Sequence, residues 1–146
     1  MRALVLCAGF LALVPLLGCG GGPNKPNPYP TSNVPVSGRV VGPTGHPIRG
    51  GASVTLSPAA KGGAIFGKAG TGTVGADGTF KLKTEDGTDG IPGGFYTVTV
   101  YPHGSDAGAK GAATRAIPKR PWSDETSDLT VEIKEGEVGW ELKLTK

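Results

Sequence analysis

Valine alternates with small or polar residues at Val34, Val36, Gly38 and Val40, and alternation resumes at Ala52, Val54 and Leu56. Period-2 spacing turns one side of a strand toward a core and the other toward water. The turn-rich GPTGHPIRG of 42–50 separates the runs, so the pair predicts two strands of an antiparallel β-sandwich. The pattern then repeats. GTVGADGTFKLK at 72–83 predicts a hairpin that turns at Asp77-Gly78 and points Phe80 and Leu82 inward. FYTVTVY at 95–101 is the strongest β segment, with Tyr96, Val98 and Val100 on one face. Phe95 and Tyr101 predict that its second face is partly covered. Leu129, Val131 and Ile133 alternate, Glu135-Gly136-Glu137 turns the chain, and Trp140, Leu142 and Leu144 complete the series. About seven short strands separated by turn signals predict an all-β, single-domain sandwich over 34–146.

Two stretches break the alternation. AAKGGAIFGKAGTGTVG at 59–75 reads as a glycine-rich loop that Ile65 and Phe66 pin to the core. Residues 102–128 show no clear period and read as a long loop, anchored by burial of Ile117 and Trp122.

The N-terminus follows other rules. Met1 and Arg2 precede the uncharged apolar run ALVLCAGFLALVPLL at 3–17. That run is shorter than the roughly 20 residues a membrane-spanning helix needs and suits a secretory signal. It ends in Leu16-Leu17-Gly18-Cys19, which resembles the bacterial lipobox. The resemblance implies cleavage before Cys19, a diacylglycerol on its sulfur and an acylated amino group. Residues 1–18 are then a lipoprotein signal peptide, and 19–33 a lipidated cysteine with a Gly/Pro-rich tether. The tether, GGGPNKPNPYPTSN at 20–33, is too poor in apolar side chains to offset its ordering entropy. At about 3.1 Å per residue in a polyproline-like form it reaches roughly 40 Å. Gly20 stands where aspartate would be the familiar inner-membrane retention signal, and the resemblance to enterobacterial sorting signals implies the outer membrane or cell surface.

Composition refines the picture at three points. The 146 residues include 26 glycines and 13 prolines, a level shared with disordered chains. Here, however, they punctuate apolar runs as turn residues do. The net charge is only +3. The densest basic stretch, Lys110, Arg115, Lys119 and Arg120 beside Trp122, lacks the broad basic face and stacking aromatics of a nucleic-acid binder. Of the two cysteines, Cys7 lies within the signal and Cys19 is blocked by lipid, so no disulfide, thiolate metal site or thiol nucleophile is expected.

Candidate chemistry is sparse. Gly62–Ala69 approaches a phosphate-binding loop, but Ala69 replaces the Mg²⁺-holding hydroxyl. Gly70, Gly72 and Gly75 spell G-x-G-x-x-G without the βαβ context that fingerprint requires. Glu85, Asp86 and Asp89 lack the ladder of a calcium loop and read as solvated carboxylates. His46 and His103 both sit beside proline in turns. Ser105, His103 and Asp106 are too close in sequence to converge as a triad, which is a matter of geometry. The expectation is no catalytic, cofactor or metal site. Trp122 and Tyr101 are the candidate binding-loop residues, with Tyr29 a third exposed-aromatic candidate for carbohydrate.

GRVVGPTGHPIRGGASVTL at 38–56, GADGTFKL at 75–82 and GGFYTVTV at 93–100 resemble the carboxypeptidase regulatory-like domain. The whole layout resembles small planctomycete-type lipoproteins that carry it. Val34–Gly38, Asp77–Phe80, Gly94–Val100, Ile117-Pro118 and Leu129–Ile133 match that pattern in order. The 59–75 insertion and Pro121-Trp122, where tyrosine is usual, depart from it. The resemblance implies a transthyretin-like Greek-key β-sandwich and a non-catalytic, lipid-anchored envelope module with a structural, adhesive or ligand-binding role. A carbohydrate-binding module is the alternative. A transthyretin-related hydroxyisourate hydrolase would need a C-terminal Y-R-G-S, whereas this chain ends Leu144-Thr145-Lys146.

Overall fold

The computed structural model describes residues 26–104 and 107–145. The residues read as a signal peptide (1–18), with Cys7, Cys19 and the first part of the stretch read as a tether, lie outside them, as do Ser105 and Asp106.

Alternating apolar positions become ten strands among the described residues. In order they are β1 (Val36–Val41), β2 (Ala52–Pro58), β3 (Ala60–Lys61), β4 (Ala64–Ile65), β5 (Gly70–Thr73), β6 (Thr79–Lys81), β7 (Lys83–Thr84), β8 (Gly94–Pro102), β9 (Thr130–Ile133) and β10 (Glu137–Lys143). One sheet has the order β10-β1-β6 and the other β7-β5-β2-β8-β9, while β3 and β4 form a separate small hairpin. This is an all-β sandwich, with eight strands in its two main sheets against the seven expected. Val36 and Val40 from one sheet meet Val54, Leu56, Tyr96, Val98 and Val100 from the other in a single buried cluster. Burying such side chains stabilises a core by about 1.5–3 kcal/mol each.

Pairing departs from the sequence reading in three ways. The two opening runs do not share a sheet, and β1 runs parallel to its neighbour β10. Between two paired positions β10 carries one more residue than β1, and Gly139 at φ +77° lies in that bulge. The arms of the expected 72–83 hairpin also diverge: β5 pairs with β2, whereas β6 pairs with β1. The turn itself forms as read. Asp77 accepts from the Thr79 backbone N–H at 3.0 Å and its hydroxyl at 2.7 Å, and Gly78 takes φ +83°. The turn therefore passes the chain from one sheet to the other.

Third, residues 59–75 are not a loose loop. They contain the β3–β4 hairpin and then β5, a central strand whose glycines let neighbours approach. A Cβ at Gly70 would collide with Ile91, and one at Gly72 with the Lys81 carbonyl oxygen. The G-x-G-x-x-G glycines thus serve strand packing, and no helix follows them to meet a phosphate.

The 102–128 segment contains an α-helix, α1 (Ala107–Ala116), and a one-turn 3-10 helix at Arg120–Trp122. Both pack on β8. Ala113 and Ile117 are buried in the core cluster and Trp122 packs partly buried against it, so Ile117 and Trp122 anchor the segment as expected. Arg120 and Asp128 pair at 3.3 Å, and Ser127 donates to the Val98 carbonyl, tying the segment back to the sheet.

Candidate functional site

The antiparallel pairing of β2 with β8 sets Pro58 opposite Tyr96 and Ala52 opposite Pro102. The sandwich therefore has two distinct ends. At the Pro58 end the chain enters the fold. The β3–β4 hairpin, the start of β8 and the end of β9 converge there on Tyr29.

Tyr29 falls inside the stretch read as a tether, yet it is 8% exposed. Its hydroxyl donates to Glu132 Oε1 at 2.8 Å, and its ring meets Phe66 at 5.8 Å between centroids, tilted by 57°. The backbone is held as well. Tyr29 N–H donates to the Asn27 side chain at 3.0 Å, and the Pro30 carbonyl accepts from Gly93 N–H at 2.9 Å. Gly93 permits that approach, because a Cβ there would press against Pro30 and Tyr29. The segment from Asn27 onward is thus docked on the sandwich.

Glu132 organises the cluster. Lys61 Nζ lies 2.6 Å from Oε2 and Lys134 Nζ 3.5 Å from Oε1, while Lys61 also stands 5.5 Å above the Phe95 ring. The hydrogen bond from Lys61, then that from Tyr29, pulls the Glu132 carboxyl down to about 2. The same contacts raise the Lys61 ammonium, and accepting from Tyr29 makes its phenol harder to ionise. These groups fasten β3 and β9 to the chain entry. Lys61 over Phe95 covers the second face of β8 at its start.

Beneath this cluster Tyr96 is fully buried. Its hydroxyl donates to the Pro92 carbonyl at 2.6 Å and accepts from the Lys68 backbone, while burial raises its pKa. Phe66 therefore pins its segment by stacking on Tyr29, but Ile65 does not reach the core and is 65% exposed.

The candidate binding aromatics are dispersed in role. Trp122 leans into the core, its indole Nε1 buried without a hydrogen-bond partner in the structure. Tyr101 is half-buried on β8, edge-on to His103 at 6.1 Å. Tyr29 is occupied by Glu132 and Phe66. His46 is exposed in the 42–46 turn, where its carbonyl accepts from Gly42 N–H, and His103 N–H donates to Gly51. Asp86 is not merely solvated. It accepts from the Thr84 hydroxyl and the Thr88 N–H, which draw its carboxyl down to about 2, while Asp89 pairs with Lys83 at 3.1 Å. Among the described residues no three histidine, cysteine or acidic side chains gather as a metal site.

The depressions of the surface are open. One of about 420 Å³ lies over Ser37, Arg39, Lys81 and Glu141, and another of about 670 Å³ over Pro58, Lys68, Thr84 and Asp86. Neither collects the aromatics named above. No family model, curated protein or solved structure matches the chain.

The docked Tyr29 escaped sequence reasoning because its flanks are Pro and Asn, which signal an unstructured linker. A large aromatic within such a linker was the one available clue.

Proposed function

We propose that this protein is an exported, lipid-anchored envelope module without catalytic activity, whose sandwich serves a structural, adhesive or ligand-binding role at the outer membrane or cell surface. The observation that carries the reading is the position of Leu16-Leu17-Gly18-Cys19 at the end of the apolar run. The likeness of the 34–133 motifs to the carboxypeptidase regulatory-like, transthyretin-like domain supports the module. The side-chain chemistry supports the absence of catalysis, since Asp77 and Asp86 close turns and Glu132 fastens the chain entry. Recognition then falls to the loops and exposed sheet edges of a rigid scaffold, with a protein or carbohydrate as partner.

Membrane fractionation of cells expressing the full chain tests the anchor. The native protein should sediment with membranes and carry acyl chains by mass spectrometry, and Cys19→Ala should move it to the soluble fraction. Unchanged membrane retention of Cys19→Ala, with no acyl mass on the native protein, overturns the reading.

A further inference from the structure

We propose that the outer face of the three-stranded β10-β1-β6 sheet binds an acidic glycan, with Arg39 and Lys81 taking one carboxylate or phosphate of the sugar chain between them. The inference rests on the ligand-binding reading above and gives it a place and a chemical class.

Strand alternation builds the site. Val36, Gly38 and Val40 of β1 turn inward, so Ser37 and Arg39 stand on the outer face; on β6, Phe80 is buried while Thr79 and Lys81 are exposed. Ser37 lies opposite Lys81, and Arg39 lies between Thr79 on one side and Glu141 on the other. Arg39 and Lys81 are therefore diagonal neighbours on adjacent strands, about 7–8 Å apart and within mutual reach of long side chains. The surface drops beside them. Ser37 is small, and Gly139 in the β10 bulge carries no side chain, with nothing within 4 Å of the place a Cβ would take. The result is the open depression of about 420 Å³, a volume within the range of small-ligand sites.

Exposed cations on a sheet face are ordinarily just solvated. This pair differs in its surroundings. The carboxylates beside it are engaged: Glu141 pairs with Lys143 at 3.1 Å, and Asp77 accepts from the Thr79 N–H and hydroxyl. Among the described residues no carboxylate lies within ion-pair distance of Arg39 or Lys81. Two like charges thus border one hollow together with the Ser37 hydroxyl. An oxyanion seated there would accept from a guanidinium fork, an ammonium and a hydroxyl.

The shape selects the kind of molecule. Arg39 and Glu141 also line a second depression of about 490 Å³ that reaches Pro43 and Lys143, so the two form a trough along β1 that suits an extended chain better than a lone ion. A peptide adds to a free sheet edge through its backbone or inserts side chains into apolar pockets. This trough runs over a sheet face, and the aromatics beneath its first part point away: Phe80 is 2% exposed and meets Trp140 edge-on at 6.1 Å. Ser37, Thr79 and Glu141 instead offer polar partners to sugar hydroxyls.

The test uses the full-length protein in neutral detergent micelles and reads the fluorescence anisotropy of fluorescein-labelled probes. These are oligogalacturonate for carboxylate, phosphorylated mannan for phosphate, dextran as the neutral glycan and polyglutamate as the acidic peptide. At least one acidic glycan should bind, the tighter of the two naming the oxyanion, and dextran should not. Arg39→Gln plus Lys81→Gln should weaken binding about ten-fold, the contribution of two exposed charge pairs. Lys110→Gln plus Lys119→Gln removes the same charge from the densest basic stretch and should leave binding unchanged. All four side chains are exposed, so both variants should keep the native melt. Equal weakening in the two variants, or none in the first, overturns the site. Polyglutamate bound as tightly as the glycan overturns the ligand class, and no binding of either acidic glycan to the native protein overturns the whole inference. None of these outcomes bears on acylation at Cys19, which mass spectrometry reads separately.

Discussion

Tyr96→Phe probes the fold at its most constrained side chain. The ring is 0% exposed, and its hydroxyl donates to the Pro92 carbonyl at 2.6 Å within the protein. The substitution keeps the ring and its packing, so the transfer free energy of the aromatic is retained. It removes one buried hydrogen bond and strands the Pro92 acceptor, together with a donor from the Lys68 backbone. A net hydrogen bond contributes about 0.5–1.5 kcal/mol, and an orphaned buried group costs about 1–3 kcal/mol. A total loss of about 1–3 kcal/mol is expected, because the exposed Lys68 backbone can turn to water. For a domain of this size that corresponds to a fall in Tm of roughly 5–12 °C. Urea unfolding followed by far-UV circular dichroism reads the free energy at unchanged m-value. Tyr101→Phe, half-buried on the same strand, is the control and should stay within about 0.5 kcal/mol. Equal, small effects at 96 and 101 would refute the claim that a buried hydroxyl joins the hairpin segment to β8.

The two faces of β8 predict a sharp asymmetry. Val98→Asp places an unpaired charge at a position 1% exposed, a cost on the order of 4 kcal/mol or more. Thr97→Asp falls on the outer face and should leave a cooperative melt; unfolding by both, or by neither, would reverse the assignment of faces. The entry cluster has a defined pH window. Glu132 is lowered to about 2 from an ordinary 4.5, so its contribution is complete above about pH 4.5 and lost as pH falls through about 2. Tyr29 and Lys61 are both raised, so their contributions hold at neutral pH and are lost as pH rises through their folded values. The Tyr29 ring and Glu132 carboxyl resonances should therefore hold steady from pH 5 to 9 and move together below pH 4; independent titration of Glu132 near 4.5 would show the cluster open.

Much of the sandwich is legible from period-2 alternation, because a strand half-buried in a sheet must alternate whatever its partners are. Val36, Val40, Val54, Leu56, Tyr96, Val98, Val100, Ile133 and Leu142 all face the core as their spacing requires. The turn at Asp77-Gly78 is equally local, set by a carboxylate that bonds two residues onward and a glycine at positive φ.

Partnership between strands is not local, and tertiary structure decided it. Alternation says which face is buried but not which neighbour lies alongside, so the parallel pairing of β1 with β10 and the divergence of β5 from β6 had no local sign. Helix α1 was missed for a related reason. Its alanine-rich run, preceded by Ser105-Asp106 and followed by Pro118, carries start and stop signals. Among its described side chains only Ala113 is buried, with Ile117 just beyond, and the run carries no clear 3.6-residue apolar period. The docked entry depends on contacts most distant in sequence. Tyr29 and Glu132 are 103 positions apart, and nothing in PNPYPTSN indicates that a carboxylate from β9 and a ring from the β4–β5 connection will meet its tyrosine. Local chemistry sets which residues must hide; closure of the two sheets determines what each of them meets.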